Sequence, residues 1–268
     1  MNHRQIQRTL FRMQLDPDFA ARLRAGEPAA VAELGAGELC LLCAADPVAI
    51  AADRDGKRRT QFLANVSSEF ALSRAAGLDV DAFTASDEFH AAVRADQSLP
   101  LAFAGYAARC TRKQPEPLRA LVALETALAR ARRELRSAPV LSPDEVALSP
   151  WASLAKLPGG SLELAERLRA ALDAHAELPL LQLAPASDET LLVRAASTAA
   201  VFQLRAVEVE RLSRALARLL DAAREPRTRA ALAGLVSTAR AELDSVIDTL
   251  VADAVLVEGE PTATRGSA

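Results

Sequence analysis

Hydrophobic residues recur every three to four positions along most of this chain, the spacing that lines one face of a helix. Residues 2–14 place Ile6, Leu10 and Met13 at that spacing, with Phe11 widening the stripe. Asp16-Pro17 predicts a second helix, because an aspartate caps the first free N–H groups and proline fits the first helical position. Phe19 and Leu23 form its apolar face, and Gly26 ends it. Two short helices are predicted over 27–34 and 37–45. A longer one spans 57–76, with Phe62, Leu63, Val66 and Phe70 facing inward. Ser86-Asp87-Glu88 opens another that runs to about 95, and Leu99 to Cys110 is apolar enough for a buried helix. The clearest amphipathic helix covers 117–136, where Leu118, Leu121, Val122, Leu124, Leu128 and Leu135 make a wide stripe.

The pattern shifts at 139–160, which holds Pro139, Pro143, Pro150, Pro158 and the pair Gly159-Gly160. A helical domain over 1–138 and a second domain over 139–268 are therefore expected. Residues 146–157 are read as a strand ending in Leu154-Ala155-Lys156-Leu157, and Ser161 as the cap of a helix over 162–175. Thr190-Leu191-Leu192-Val193 and Val201-Phe202-Gln203-Leu204 flank a segment containing Ser197-Thr198. Two antiparallel strands joined by a turn are predicted there, although the turn lacks an Asn-Gly or Asp-Gly pair. Three helices are expected over 207–223, 226–235 and 238–252, then a short strand over 254–257. The fold class is mainly α with a small antiparallel sheet. The N-terminal part is helical, and the C-terminal part is a winged-helix-like α+β module.

Composition narrows the function classes. The formal net charge is −3 over 268 residues and the pI is about 5.8, which argues against a dedicated nucleic-acid binder. Three cysteines do not make a disulfide framework in a chain of this length. No stretch approaches the roughly 20 uninterrupted apolar residues of a membrane helix. The first 18 residues lack an apolar core followed by a small-residue cleavage site, so a cytoplasmic location is expected.

No catalytic signature emerges. Cys40-Leu41-Leu42-Cys43 is a CxxC, but it supplies only two of the four ligands a structural zinc needs, and both cysteines are read as small core residues. His3, His90 and His175 are scattered. Gly159-Gly160-Ser161 before a helix is read as a loop and cap rather than an anion site, since neither a P-loop nor GxGxxG surrounds it. Arg54 with Lys57-Arg58-Arg59, and Arg130 with Arg132, Arg133 and Arg136, are read as solvated helix faces. The order of elements after 145 suggests a module with an open sheet edge beside a helix, where an extended peptide can add a strand.

Two stretches carry a family resemblance. Leu10-Phe11-Arg12-Met13-Gln14 with Asp16-Pro17-Asp18-Phe19 is one. The other runs from Arg59-Thr60-Gln61-Phe62-Leu63-Ala64-Asn65-Val66-Ser67-Ser68-Glu69-Phe70 to Glu88-Phe89-His90. Together they resemble accessory partner proteins of multinuclear non-heme iron oxidative enzymes that modify ribosomal peptides, the methanobactin and thiaglutamate-type partners. The chain is longer at its C-terminus than the methanobactin type. The resemblance implies a non-catalytic subunit with no cofactor of its own. It would carry a precursor's leader to an iron-dependent oxidase, with the iron in that enzyme. Leu192, Val193, Arg194 and Arg205, with Val201, Phe202 and Leu204, are the expected peptide contacts, the two arginines pairing with acidic leader residues. Arg58, Phe62 and Phe70 are the expected oxidase contacts. The alternative is a winged-helix transcription regulator, which Glu242, Asp244 and Asp248 beside Arg240 disfavour by repelling phosphates.

Overall fold

The computed structural model describes residues 3–46, 48–49, 57–134, 137–183, 187–196, 205–236 and 240–259, with the side chains of 17, 57–62, 236 and 240 outside the description. The described residues are mainly helical, with two three-stranded antiparallel sheets. They fall into two compact units, 1–114 and 115–268. The division lies at Gln114/Pro115, ahead of the expected position near 138. The long amphipathic helix packs on strands of the second unit.

The first unit contains α1 (His3–Leu15), α2 (Pro17–Arg24), α3 (Pro28–Val31), α4 (Ala36–Ala44), α5 (Lys57–Glu69), α6 (Ala71–Ala75), α7 (Asp87–Ala95) and α8 (Leu99–Thr111). A 3-10 turn, Asp81–Ala85, precedes α7. The helix starts expected at Asp16 and Ser86 form their capping bonds. Asp16 Oδ1 accepts from the Phe19 N–H at 3.0 Å, and Ser86 Oγ accepts from the Phe89 N–H at 3.2 Å. The helix expected over 57–76 breaks at Phe70, whose backbone leaves the helical region between α5 and α6. Phe70 itself is fully buried. It meets Phe103 edge to face at 4.7 Å, while Phe83 packs against Phe89 and Phe103. A second cluster joins Met13, Phe19, Leu23 and Leu42.

The CxxC on α4 corrects the expectation from sequence. Glu38 and Leu42 turn inward, one helical turn apart, which leaves Cys40 and Cys43 exposed on the opposite side. The Glu38 carboxylate reaches back to accept from the Gly35 N–H at 3.0 Å, so the helix start rather than the cysteines fixes which face is buried.

In the second unit, α9 (Glu116–Arg133) leads to β1 (Glu145–Leu148), β2 (Ala152–Leu157), α10 (Ser161–Asp173), β3 (Glu189–Ala195) and β4 (Val207–Arg211). Then come α11 (Arg214–Ala222), β5 (Arg227–Thr228), α12 (Arg229–Val236), α13 (Arg240–Ala252) and β6 (Leu256–Glu258). The single strand expected over 146–157 is two, parted at Ser149-Pro150-Trp151, where the proline cannot continue a ladder. The helix expected over 207–223 starts only at Arg214, after β4. Leu135, expected to extend the stripe of α9, lies outside the described residues.

One sheet has the order β5-β1-β6 and the other β2-β3-β4. With β1 in the middle of its sheet, α11-β5-α12-α13-β6 follows the element order of a winged helix. Leu192, Leu219, Leu220, Leu232, Ile247 and Leu256 share one core. Gly259 closes the chain over β1. Its N–H donates to the Glu145 carbonyl at 2.9 Å, and a Cβ there would stand 2.1 Å from the Ser142 carbonyl oxygen.

Candidate functional site

Side chains in a strand alternate between faces, and backbone groups alternate between the two edges. Two hydrogen bonds fix the phase of the β3–β4 ladder. Leu212 N–H donates to the Thr190 carbonyl at 3.0 Å, and Ala196 N–H donates to the Ala206 carbonyl at 2.9 Å. Glu210 and Glu208 therefore exchange backbone hydrogen bonds with Leu192 and Arg194, which they oppose directly. The N–H and C=O groups of Val207, Val209 and Arg211 point the other way, out of the sheet. β4 pairs with no other strand among the described residues.

The sheet's opposite edge is different. The same phase reasoning, from Ala195 N–H donating to the Trp151 carbonyl at 2.8 Å, turns the backbones of Ala152, Leu154 and Lys156 outward from β2. There the Ala152 N–H is taken by the Ser149 carbonyl at 3.0 Å, and the Leu154 carbonyl faces the Arg224 guanidinium at 3.5 Å. The β2 edge is thus partly occupied, whereas the β4 edge is unpaired among the described residues.

The expected hairpin residues fall differently from the reading of the sequence. Leu192 and Val193 lie in β3, the central strand, and are buried. Neither can touch a peptide without the sheet opening. Leu192 joins the core under α11–α13, and Val193 faces the other way, by strand alternation. Arg194 is committed to Glu208 at 2.7 Å. Arg205 lies over the Trp151 ring, 4.5 Å from its centre. Both arginines are partnered within the chain. The charges exposed along β4 on the Leu192 face are Glu208 and Glu210, so the edge is acidic rather than basic. Val201, Phe202 and Leu204 lie outside the described residues. Arg58 and Phe62 sit on the backbone of α5, but their side chains are outside the description. Phe70, fully buried, is not available to a partner.

Val207, Glu208, Val209 and Glu210 were missed in the sequence. Their strict two-residue alternation is the strand signal, and it was absorbed into a longer helical reading of 207–223.

β4 runs at Arg211 into a cleft of about 460 Å³ lined by Lys156, Gly160, Glu163, Arg211, Arg214 and Arg218, among others. Its floor is tied together by charge. Glu189, almost buried, accepts from the Leu162 N–H at 2.9 Å and from Arg211 at 2.8 Å. The N-terminus of α10 is therefore satisfied by a carboxylate of the chain itself. Ser161, expected to cap this helix, instead donates its hydroxyl to the Pro158 carbonyl, and Gly160 takes the capping position with φ +84°. Lys156 pairs with Asp221 at 3.1 Å, and Arg214 reaches Ser187 Oγ at 3.0 Å.

Among the described residues no group of three or more His, Cys, Asp or Glu side chains is placed to hold a metal ion. Nor is any described helix long and apolar enough to cross a membrane. Comparison with known proteins finds no matching family and no matching curated sequence.

Proposed function

We propose that this chain is a partner subunit that binds a ribosomally made precursor peptide as an added strand on β4 and presents it to an iron-dependent oxidase. The observation that carries this is the open β4 edge, with three successive outward backbone positions at Val207, Val209 and Arg211. An extended peptide gains main-chain hydrogen bonds there, and side-chain contacts at alternate positions supply selectivity. Tethering then raises the effective concentration of the peptide's reactive segment at the enzyme. The oxidase would dock on the helical unit, with Arg58 as its contact; the iron belongs to the enzyme.

The peptide proposed here is not the acidic one suggested by Arg194 and Arg205. Glu210, exposed on β4, favours a strand that places a basic or neutral side chain opposite it, since like charges across a strand pair are unfavourable. The same repulsion disfavours pairing of β4 with its own copy in a second molecule. The regulator reading is weaker. Asp244 and Asp248 of α13 pair with Arg229, and Glu242 is exposed beside them, so the helix that would enter a DNA groove is acidic.

Co-expression with an iron oxidase encoded beside this chain tests the proposal. A stable complex that binds the neighbouring precursor, with iron only in the other subunit, is the expected result. No complex and no precursor binding in titration would overturn it.

A further inference from the structure

The first unit holds a cleft unrelated to the peptide edge. It is about 640 Å³, within the range of small-molecule sites, and lies between α1, the residues around α3 and the end of α7. Arg4, Arg8 and Arg12 recur every four residues, so they lie along one face of α1. Arg94, in the last turn of α7, joins them in the lining.

Four guanidinium groups in one concavity face only two lining carboxylates, Glu33 and Asp96. Existing pairs absorb part of this charge. Arg8 binds Asp96, which holds a left-handed backbone at φ +55°, and Arg94 lies 3.5 Å from buried Asp16. Arg4 is exposed and has no ion-pair partner among the described residues. Arg12 stacks on the Phe19 ring at 3.9 Å, and its enclosed Nε–H has no hydrogen-bond partner among the described residues. A buried donor left without an acceptor is rare in a folded protein, and this one is covered by the chain itself, so a ligand in the cleft would meet the rest of the Arg12 side chain. Burial is the main influence pushing the Arg12 guanidinium below its ordinary value. Asp16 opposes it, and Arg22, Arg94 and Arg8 add repulsion.

The rest of the lining has a different character. Ala29, Ala30 and Leu34 bring an apolar wall to the side facing α1. We propose that this cleft binds a small organic anion, with a carboxylate or phosphate head held by Arg4 and Arg12 and an apolar body against Ala30 and Leu34. Guanidinium forks match the planar or trigonal oxygens of either head group, and the bound anion offsets their mutual repulsion. This site stands independently of peptide capture and would exist whether or not β4 takes a strand.

The test uses the full chain and three probes at matched ionic strength: inorganic phosphate, phenyl phosphate and phenylacetate. Thermal-shift titration and calorimetry are read for saturation. Phenyl phosphate or phenylacetate should bind saturably and more tightly than inorganic phosphate, and the stronger of the two identifies the head group. Arg4→Gln alters an exposed, unpaired side chain, so the unliganded Tm should hold while the Kd rises about tenfold. Arg218→Gln, in the other unit, should change neither. The proposal is overturned if none of the probes saturates, if Arg4→Gln binds as well as the parent, or if inorganic phosphate binds as tightly as both aromatic probes. Should Arg4→Gln lower the unliganded Tm, Arg4→Lys, which keeps the charge but lacks the guanidinium fork, is measured in its place: a raised Kd supports the proposal and an unchanged Kd overturns it.

Discussion

Neighbouring positions in β4 should respond in opposite ways to proline. The Glu210 N–H belongs to the ladder with β3, opposite Leu192, whereas the Val209 N–H points out of the sheet. Glu210→Pro removes a ladder donor and leaves a carbonyl of Leu192, a residue only 2% exposed, without its partner. Stranding a buried acceptor and forcing the ring into the ladder costs about 3 kcal/mol. In a unit of this size that lowers Tm by about 6–12 °C. Val209→Pro loses no ladder bond and sacrifices only the cross-strand packing of Val209 on Val193, about 0.5–1 kcal/mol. The same substitution removes an outward donor and blocks the approach of an added strand. It should therefore weaken precursor binding by about 1–3 kcal/mol, or about 5- to 150-fold in Kd. Thermal unfolding by circular dichroism and anisotropy of a labelled precursor peptide measure the two effects. Val209→Ala, with the packing loss but an intact N–H, should bind like the parent. Amide exchange gives an independent check: Glu208, Glu210 and Leu212 protected, Val207, Val209 and Arg211 fast. Equal destabilisation by the two prolines, or undiminished binding by Val209→Pro, would refute the assigned phase of the edge.

Three further outcomes are expected. Burial, reinforced by the neighbouring Cys110 thiol, pushes the hydroxyl of Tyr106 up to about 12. It is the chain's single tyrosine, so absorbance at high pH titrates it alone, and a midpoint near the ordinary 10.0 would contradict the packing. The Arg109 guanidinium holds the Glu88 carboxyl below its ordinary 4.5 through hydrogen bonds at 2.6 and 2.9 Å. A depressed carboxylate stabilises the fold fully above its unfolded value and loses that effect as pH falls through its folded value, so Glu88→Gln should flatten the decline of Tm only below about pH 4.5. Phe70→Ala empties the centre of the aromatic cluster and should cost about 3–5 kcal/mol in denaturant unfolding, whereas a change under 1 kcal/mol would mean that Phe70 is not core.

Much of the architecture was legible in local pattern. Asp16-Pro17 and Ser86-Asp87-Glu88 mark helix starts because a capping oxygen and its N–H lie three residues apart, and both bonds form. The stripe of α9 is long enough for its period to be unambiguous. β4 failed on the same ground. Val207–Arg211 is only five residues long, and the helix that starts at Arg214 carries a strong apolar period of its own. Two short periods merged into one long reading. The cysteines of α4 failed because nine apolar-rich residues give almost no sided pattern, so the buried face was set by Glu38 and Leu42.

The sequence by itself determined the helical class, the starts of α2 and α7 and the buried stripe of α9, because these follow from backbone capping and from spacing within a single element. Only the tertiary structure decided which strand stands at a sheet edge. Leu192 and Val193 of the predicted hairpin became the middle of a sheet, Arg194 and Arg205 found partners inside the chain, and the edge unpaired among the described residues fell to Val207, Val209 and Arg211. Edge or centre depends on strand order, which is fixed by contacts between residues far apart in the chain. Four arginines from α1 and α7 likewise converge on one cleft only after both helices have packed.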